Sequence, residues 1–287
     1  MSAAPSEPVE PAFTDPFVEV ADTDVASDSV RLEATAEGAA TVWINRPARK
    51  NAFDEEVIGA LDQMFETLES ADGVRVVFIR GVGGAFCAGA DLDWMRRAAH
   101  FTEADNREDA LALARMLKRL HDLPMLTVAL VEGPAYGGGA GLAAACDMTI
   151  AARNAVFAFS EVKLGLVPAT ISPYVVRAIG PRRSRALFAL GRALDAEAAL
   201  NIGLADELVE DAAGLDAARE ALIQEARLAG PAAVAEAKRL VERVTGRAID
   251  HGLLSETAHD IARVRGGSEG REGVSAFLER RVPAWRS

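Results

Sequence analysis

Alternating strands and helices, followed by helix alone, predict an α/β core with a helical C-terminal region. Three observations carry this. Residues 74–80 and 125–131 are almost continuously apolar and rich in β-branched side chains, the pattern of strands covered on both faces. Each run leads into a loop rich in Gly and Ala (81–89 and 133–139), and helix-period segments separate the strands, as crossover connections require. From residue 172 onward the apolar residues recur every three or four positions.

In chain order, residues 30–35 and 40–45 read as a hairpin around Glu37-Gly38. Asp54 caps a helix reaching residue 70, with Val57, Leu61, Met64 and Leu68 on one face. Strand 74–80 and loop 81–89 precede a helix over 104–120. Strand 125–131 and loop 133–139 precede a small-residue helix over 140–146 and a strand over 148–152. Ser172-Pro173 supplies the N-cap and first-turn pair of a helix ending at Ile179. Asp195 caps a helix that stops at Gly203, and helices over 215–228, 231–245, 250–264 and 274–281 follow. The organisation read from this pattern is an acidic tail (1–29), an α/β core (30–210) and a helical region (211–287).

Composition narrows the function classes. The chain has 287 residues and a net charge of -12, which argues against nucleic acid or anionic lipid as partners. Seven acids and no Lys or Arg fall within residues 1–29, interleaved with Pro5, Pro8, Pro11 and Pro16. That is the composition of a mobile solubilising tail, not of a presequence or signal peptide. No apolar run approaches the ~20 residues that span a bilayer. Cys87 and Cys146 are the only cysteines, so no disulfide framework is expected, and the compartment read from them is reducing and cytoplasmic.

Three motifs fail on context. Gly266-Gly267-Ser268-Glu269-Gly270 has the letters of a nucleophile elbow, but a helix rather than a strand precedes it. The Gly81-Val82-Gly83-Gly84-Ala85-Phe86 loop puts bulky Phe86 where a dinucleotide loop needs its third glycine. His100, His121, His251 and His259 lack metal-ligand spacing, so no metal site is expected.

What survives is a pair of small-residue loops and a carboxylate. Phe86-Cys87-Ala88-Gly89-Ala90-Asp91-Leu92 follows one buried strand. Gly133-Pro134-Ala135-Tyr136-Gly137-Gly138-Gly139 follows another and enters a helix. Amides at a helix N-terminus point at developing negative charge, and two such amides from different loops make an oxyanion hole. Spacing alone leaves close packing by small residues equally open.

These loops, with Cys146-Asp147 and Phe159-Ser160-Glu161-Val162-Lys163-Leu164-Gly165, resemble the enoyl-CoA hydratase/isomerase (crotonase) superfamily. Asn45-Arg46-Pro47 and Asn51-Ala52-Phe53 resemble its early CoA-side motif. Within it, Asp91-Leu92-Asp93-Trp94-Met95, Gly139-Ala140-Gly141-Leu142 and residues 166–175 are similar to bacterial methylglutaconyl-CoA hydratase-like members. The resemblance implies a spiral of ββα units whose helical C-terminal region caps the site and builds homotrimers, often paired into hexamers. It implies that the amides of Ala90 and Gly138 hold the thioester oxygen and that Glu161 is the acid/base. It implies that acyl-CoA runs past Arg49, Lys50, Ala52, Ala88 and Asp91. CoA then belongs to the substrate, and no separate cofactor is required.

One departure stands out. Two-carboxylate hydratases of this family carry a first Glu where this chain has Gly141. The expectation drawn here is that Gly141 leaves room for a branch at C3 and, with Trp94 and Arg96 or Arg97 nearby, suits a carboxylated acyl group such as 3-methylglutaconyl. A solvated helix face explains the two arginines equally well. Three functions remain open: hydration of a 2-enoyl-CoA, double-bond isomerisation through one Glu, and acyl-CoA binding without turnover.

Overall fold

The computed structural model describes residues 29–286, so the acidic tail read over 1–29 lies outside the described residues except for Ser29. The first half contains β1 (Val30–Ala34), β2 (Ala39–Ile44), α1 (Glu55–Glu69), β3 (Val76–Gly81), α2 (Leu92–Ala98) and α3 (Glu103–Asp122). Next come β4 (Leu126–Val131), β5 (Pro134–Tyr136), α4 (Gly138–Ala145), β6 (Met148–Ala152) and β7 (Val156–Ala158). Then follow α5 (Ser172–Leu190), β8 (Ala193–Asp195), α6 (Ala196–Ile202) and β9 (Glu207–Val209). Helices α7 (Ala212–Ala226), α8 (Pro231–Val244), α9 (His251–Gly266) and α10 (Ser268–Glu279) end the chain. The fold is α/β, as the sequence predicts.

Six strands form one sheet in the order β1-β2-β3-β4-β6-β9, antiparallel between β1 and β2 and parallel thereafter. The β-branched runs occupy its centre and are covered on both faces. Val77, Ile79, Ala129 and Val131 join the main core with α1, α3, α4 and α5. Val76, Phe78, Val128 and Leu130 point the other way, onto Leu215 and Ile223 of α7. Helix α7 therefore covers the second face of the sheet.

Local chemistry fixes the helix starts. Asp54 accepts the Val57 N–H at 3.0 Å, and Thr102 and Asp105 form a reciprocal capping box on α3. Several elements depart from expectation. The helix placed over 172–179 continues to Leu190 across a kink at Gly180, where φ is 77° and Pro181 follows. A second sheet, β5-β7-β8, lies inside segments read as loops, because three-residue strands carry almost no periodicity. Its β5 pairs with Cys87 through Ala135 and so ties the two glycine-rich loops together. Helix α10 starts at Ser268, ahead of the expected 274, with Gly267 as its N-cap, so Ser268 opens a helix that follows a helix. Among the described residues no helix is long and apolar enough to cross a membrane.

Candidate active site

The site is organised by a polar, largely exposed turn that the fold anchors through one buried side chain. Asn51 is fully buried, and its side chain makes three hydrogen bonds. Oδ1 accepts the Arg46 N–H at 2.8 Å, while Nδ2 donates to the carbonyls of Val82 at 2.9 Å and Ala85 at 2.6 Å. The turn at 46–51 is thereby fastened to the first glycine-rich loop. Two residues on, Phe53 exchanges backbone bonds with that loop: its N–H donates to Gly89 and its carbonyl accepts from Asp91, both at 2.7 Å.

That pairing brackets Ala90 and leaves its N–H without an acceptor among the described residues. The Gly138 N–H is likewise untaken, as expected of a group in the first turn of α4. The two loops adjoin, since Phe53 pairs with Ala90 through its backbone while its ring would meet a Cβ on Gly138 at 3.1 Å. The glycines of the second loop have separate reasons. Gly137 adopts φ 48°, a conformation costly for other residues. A Cβ on Gly139 would come within 2.5 Å of the Cys87 carbonyl. Close packing and amide presentation thus coexist in one triplet.

Glu161 opens a 3₁₀ turn, Glu161–Leu164, directly after β7. A Cβ on Gly137 would stand 3.1 Å from Glu161 Oε1, which puts the carboxylate beside the second loop. The side chain is half-buried, and Oε2 is buried without a hydrogen-bond partner. Burial pushes the carboxyl above the usual glutamate range, opposed only by its own backbone N–H. A desolvated carboxylate next to untaken amides can exchange a proton with a substrate whose charge those amides receive.

Other expected site residues fare differently. Asp91, expected beside CoA, has its polar groups engaged within the fold. Its Oδ1 caps α2 through the N–H groups of Asp93 and Trp94, its Oδ2 faces Arg46, its N–H goes to Phe53 and its carbonyl takes the Met95 N–H. Ala88 gives its N–H to the Lys50 carbonyl, and the Ala52 carbonyl takes the Arg46 guanidinium at 2.7 Å. Arg49 pairs with Asp93, and Lys50 stays exposed. Arg96 and Arg97 lie on the exposed face of α2, held by Asp93 and Glu55 respectively, which is the solvated-face arrangement. Trp94 is half-buried and turned toward Asp109 of α3, whose carboxyl is pushed up by burial. The room expected at Gly141 is absent: the Ile171 side chain fills it, with Cγ2 2.1 Å from where a Cβ would lie.

Sequence reading missed Asn51 as a staple, Ile171 and Lys238. Lys238 reaches from α8 to Asp147 at 2.6 Å and to the carbonyls of Leu123 at 2.7 Å and Met125 at 2.8 Å. The Asn51 and Asp147 motifs were visible, but a motif does not reveal which partner its side chain meets. A cavity of about 990 Å³ lies elsewhere, among α3, α4, α5 and α8; its Lys118, Arg177, Lys238, Arg239 and Arg243 each pair with a carboxylate. Among the described residues no cluster of three or more His, Cys, Asp or Glu could hold a metal ion.

The chain is similar in sequence and fold to known proteins. The sequence model of the enoyl-CoA hydratase/isomerase family matches residues 34–287. The crystal structure of an enoyl-CoA hydratase from Shewanella pealeana is 37% identical with a TM-score of 0.87, covering 90% of this chain and 96% of that one. An enoyl-CoA hydratase of Alternaria alternata is 32% identical over 240 residues, 84% of this chain and 78% of its own. The mitochondrial methylglutaconyl-CoA hydratase of Homo sapiens is 32% identical over 271 residues, 89% of this chain and 76% of its own.

Proposed function

The chain belongs to the enoyl-CoA hydratase/isomerase family, and on that premise we propose that it adds water across the 2,3-double bond of an enoyl-CoA thioester. One observation carries the reading: Glu161 presents a desolvated, unpartnered carboxylate oxygen beside the loop whose Gly138 N–H is untaken.

Conjugation to the thioester makes C3 electrophilic. As water attacks C3, the double-bond electrons move to the thioester oxygen, giving an enolate. The amides of Ala90 and Gly138 receive that charge, and each such donor is worth ~3 kcal/mol. Glu161 takes the water's proton as the C3–O bond forms. The enolate then collapses, C2 gains a proton from Glu161, and the carboxylate is regenerated. Burial favours this role, because a raised pKa makes the carboxylate a stronger base near neutral pH. CoA would lie along Arg49, Lys50, Ala52 and Ala88, as the resemblance implies.

For the acyl group, 3-methylglutaconyl-CoA is the proposal. Its support is the likeness of residues 91–95, 139–142 and 166–175 and the human relative, and no longer the shape at Gly141. A second reading, isomerisation by one carboxylate moving a proton between C2 and C4, is favoured by the lack of any side chain at position 141. Exposed Leu254, Ile261, Phe277 and Leu278 on the C-terminal helices, with Ile249 in the connection between α8 and α9, support assembly into homotrimers or hexamers. Light scattering on the purified chain checks that.

The deciding experiment incubates the protein with 2-enoyl- and 3-enoyl-CoA thioesters and follows the conjugated thioester absorbance. Loss from a 2-enoyl-CoA supports hydration, gain from a 3-enoyl-CoA supports isomerisation, and silence on both leaves acyl-CoA binding alone. Glu161→Gln keeps the shape and removes the base, so kcat should fall ~10²-fold or more. Near-parental turnover would overturn the assignment.

A further inference from the structure

We infer that Ile171, seated on the bare backbone of α4 at Gly141, is a positioning residue that fixes the Glu161 carboxylate against the oxyanion amides. This rests on the reading of Glu161 as the acid/base. The segment from Glu161 to Ile171 is a 3₁₀ turn and loop that starts just after buried Phe159 and is held further along by buried Pro168 and Ile171. Leu164, Leu166 and Val167 are each more than half exposed, and Ile171, at 1% exposure, belongs to the main core. The loop meets one turn of α4 at both ends. Glu161 Oε1 lies beside Gly137, and Ile171 lies on Gly141, whose N–H closes that same turn onto the Gly137 carbonyl at 3.0 Å. Gly138, the amide donor, lies between these two contacts.

The fit admits no side chain at position 141. A Cβ there would stand 2.1 Å from Ile171 Cγ2 and 2.5 Å from Ile171 Cβ. Any residue but glycine must push the loop away from α4 or move α4 itself. Two consequences follow for the reaction. The separation of Glu161 from the Gly138 amide is set by a clamp with two points of contact. The space in which α4 could carry a second carboxylate is occupied by an alkyl side chain, so both proton transfers pass through Glu161.

The test compares Ile171→Ala, Ile171→Val and Gly141→Ala with the parent, using 2-enoyl-CoA hydration. Ile171→Ala removes Cγ2, the atom that contacts α4. Its kcat should fall about tenfold or more with KM changed less than about threefold, because small misplacements of a reacting group are costly. Its acidic limb should also move to lower pH, since a loosened loop lets water reach Glu161 and relieves the burial that raises it. Ile171→Val keeps Cβ and Cγ2 and should retain the parental kcat and pH profile. Gly141→Ala unseats Ile171 from the opposite side and should reproduce the Ile171→Ala profile, which keeps the test decisive if Ile171→Ala does not fold. A folded Ile171→Ala or Gly141→Ala with parental kcat and pH profile overturns the inference. If Glu161→Gln loses activity in the same assay, that failure leaves the acid/base reading standing; an active Glu161→Gln overturns both.

Discussion

Removing the Asn51 side chain should loosen the oxyanion loop before it touches any reacting group. Asn51→Ala leaves the Arg46 N–H and the carbonyls of Val82 and Ala85 without their partner at a fully buried position. Each buried polar group left unsatisfied costs about 1–3 kcal/mol, so three give about 3 kcal/mol at the low end. Asn51 also sits at φ 57°, where alanine adds about 1 kcal/mol of strain. For a chain of this size 1 kcal/mol shifts Tm by roughly 2–4 °C, which predicts a fall of about 6–12 °C before strain is added. Asn51→Asp is the informative companion. It keeps the acceptor for Arg46 but turns an oxygen toward two carbonyls, so it should be at least as damaging. The assay is thermal unfolding by circular dichroism, with hydration kcat measured well below the lower Tm. Activity should fall in both variants, because the stapled loop leads into Ala90. A Tm within about 2 °C of the parent for Asn51→Ala would refute the reasoning.

Gly138→Pro should abolish turnover while the fold survives, because proline is tolerated in the first helical turn but has no N–H. Gly138→Ala is its control: it retains the donor and adds only a Cβ against Phe53, so substantial activity in the Pro variant, or equal loss in both, counts against the amide. The acidic limb of kcat/KM should lie above the ordinary glutamate value of about 4.3, since burial raises Glu161 and the ionised form is the base, so activity is lost as pH falls through the raised value. By the same linkage the folded state favours protonated Glu161. Its contribution to stability is lost as pH rises through the raised pKa, so Glu161→Gln should unfold at a higher Tm than the parent at pH 7, and a lower Tm would contradict the burial argument. Lys238→Met keeps the alkyl stem but leaves two carbonyls without their donor and Asp147 with Thr127 in place of its cation, and should cost about 2–4 kcal/mol by urea unfolding with little change in KM.

The sequence by itself determined the elements with a strong period or a cap. Val77 and Ile79 alternate with Val76 and Phe78 because a strand covered on both faces needs apolar residues at every position, and that is readable one letter at a time. Asp54 and Asp195 mark helix starts because a cap acts within three residues of its own position. The glycine-rich loops were legible as local backbone demands that close packing would equally explain, and Glu161 was legible only through the family resemblance of the residues around it. What only the tertiary structure decided are the partners of those residues. Asp91 reads as a CoA-side group, and the fold also makes it a helix cap facing Arg46. Gly141 reads as open space and is instead the seat of Ile171, thirty positions along the chain. Lys238 gives no signal beyond an amphipathic helix, yet it anchors α8 to the carbonyls that precede β4. A single chain records which residues need a partner or a gap. Which side chain meets that need is set by how distant elements pack, and there the physical constraint is shape and distance in three dimensions rather than spacing in one.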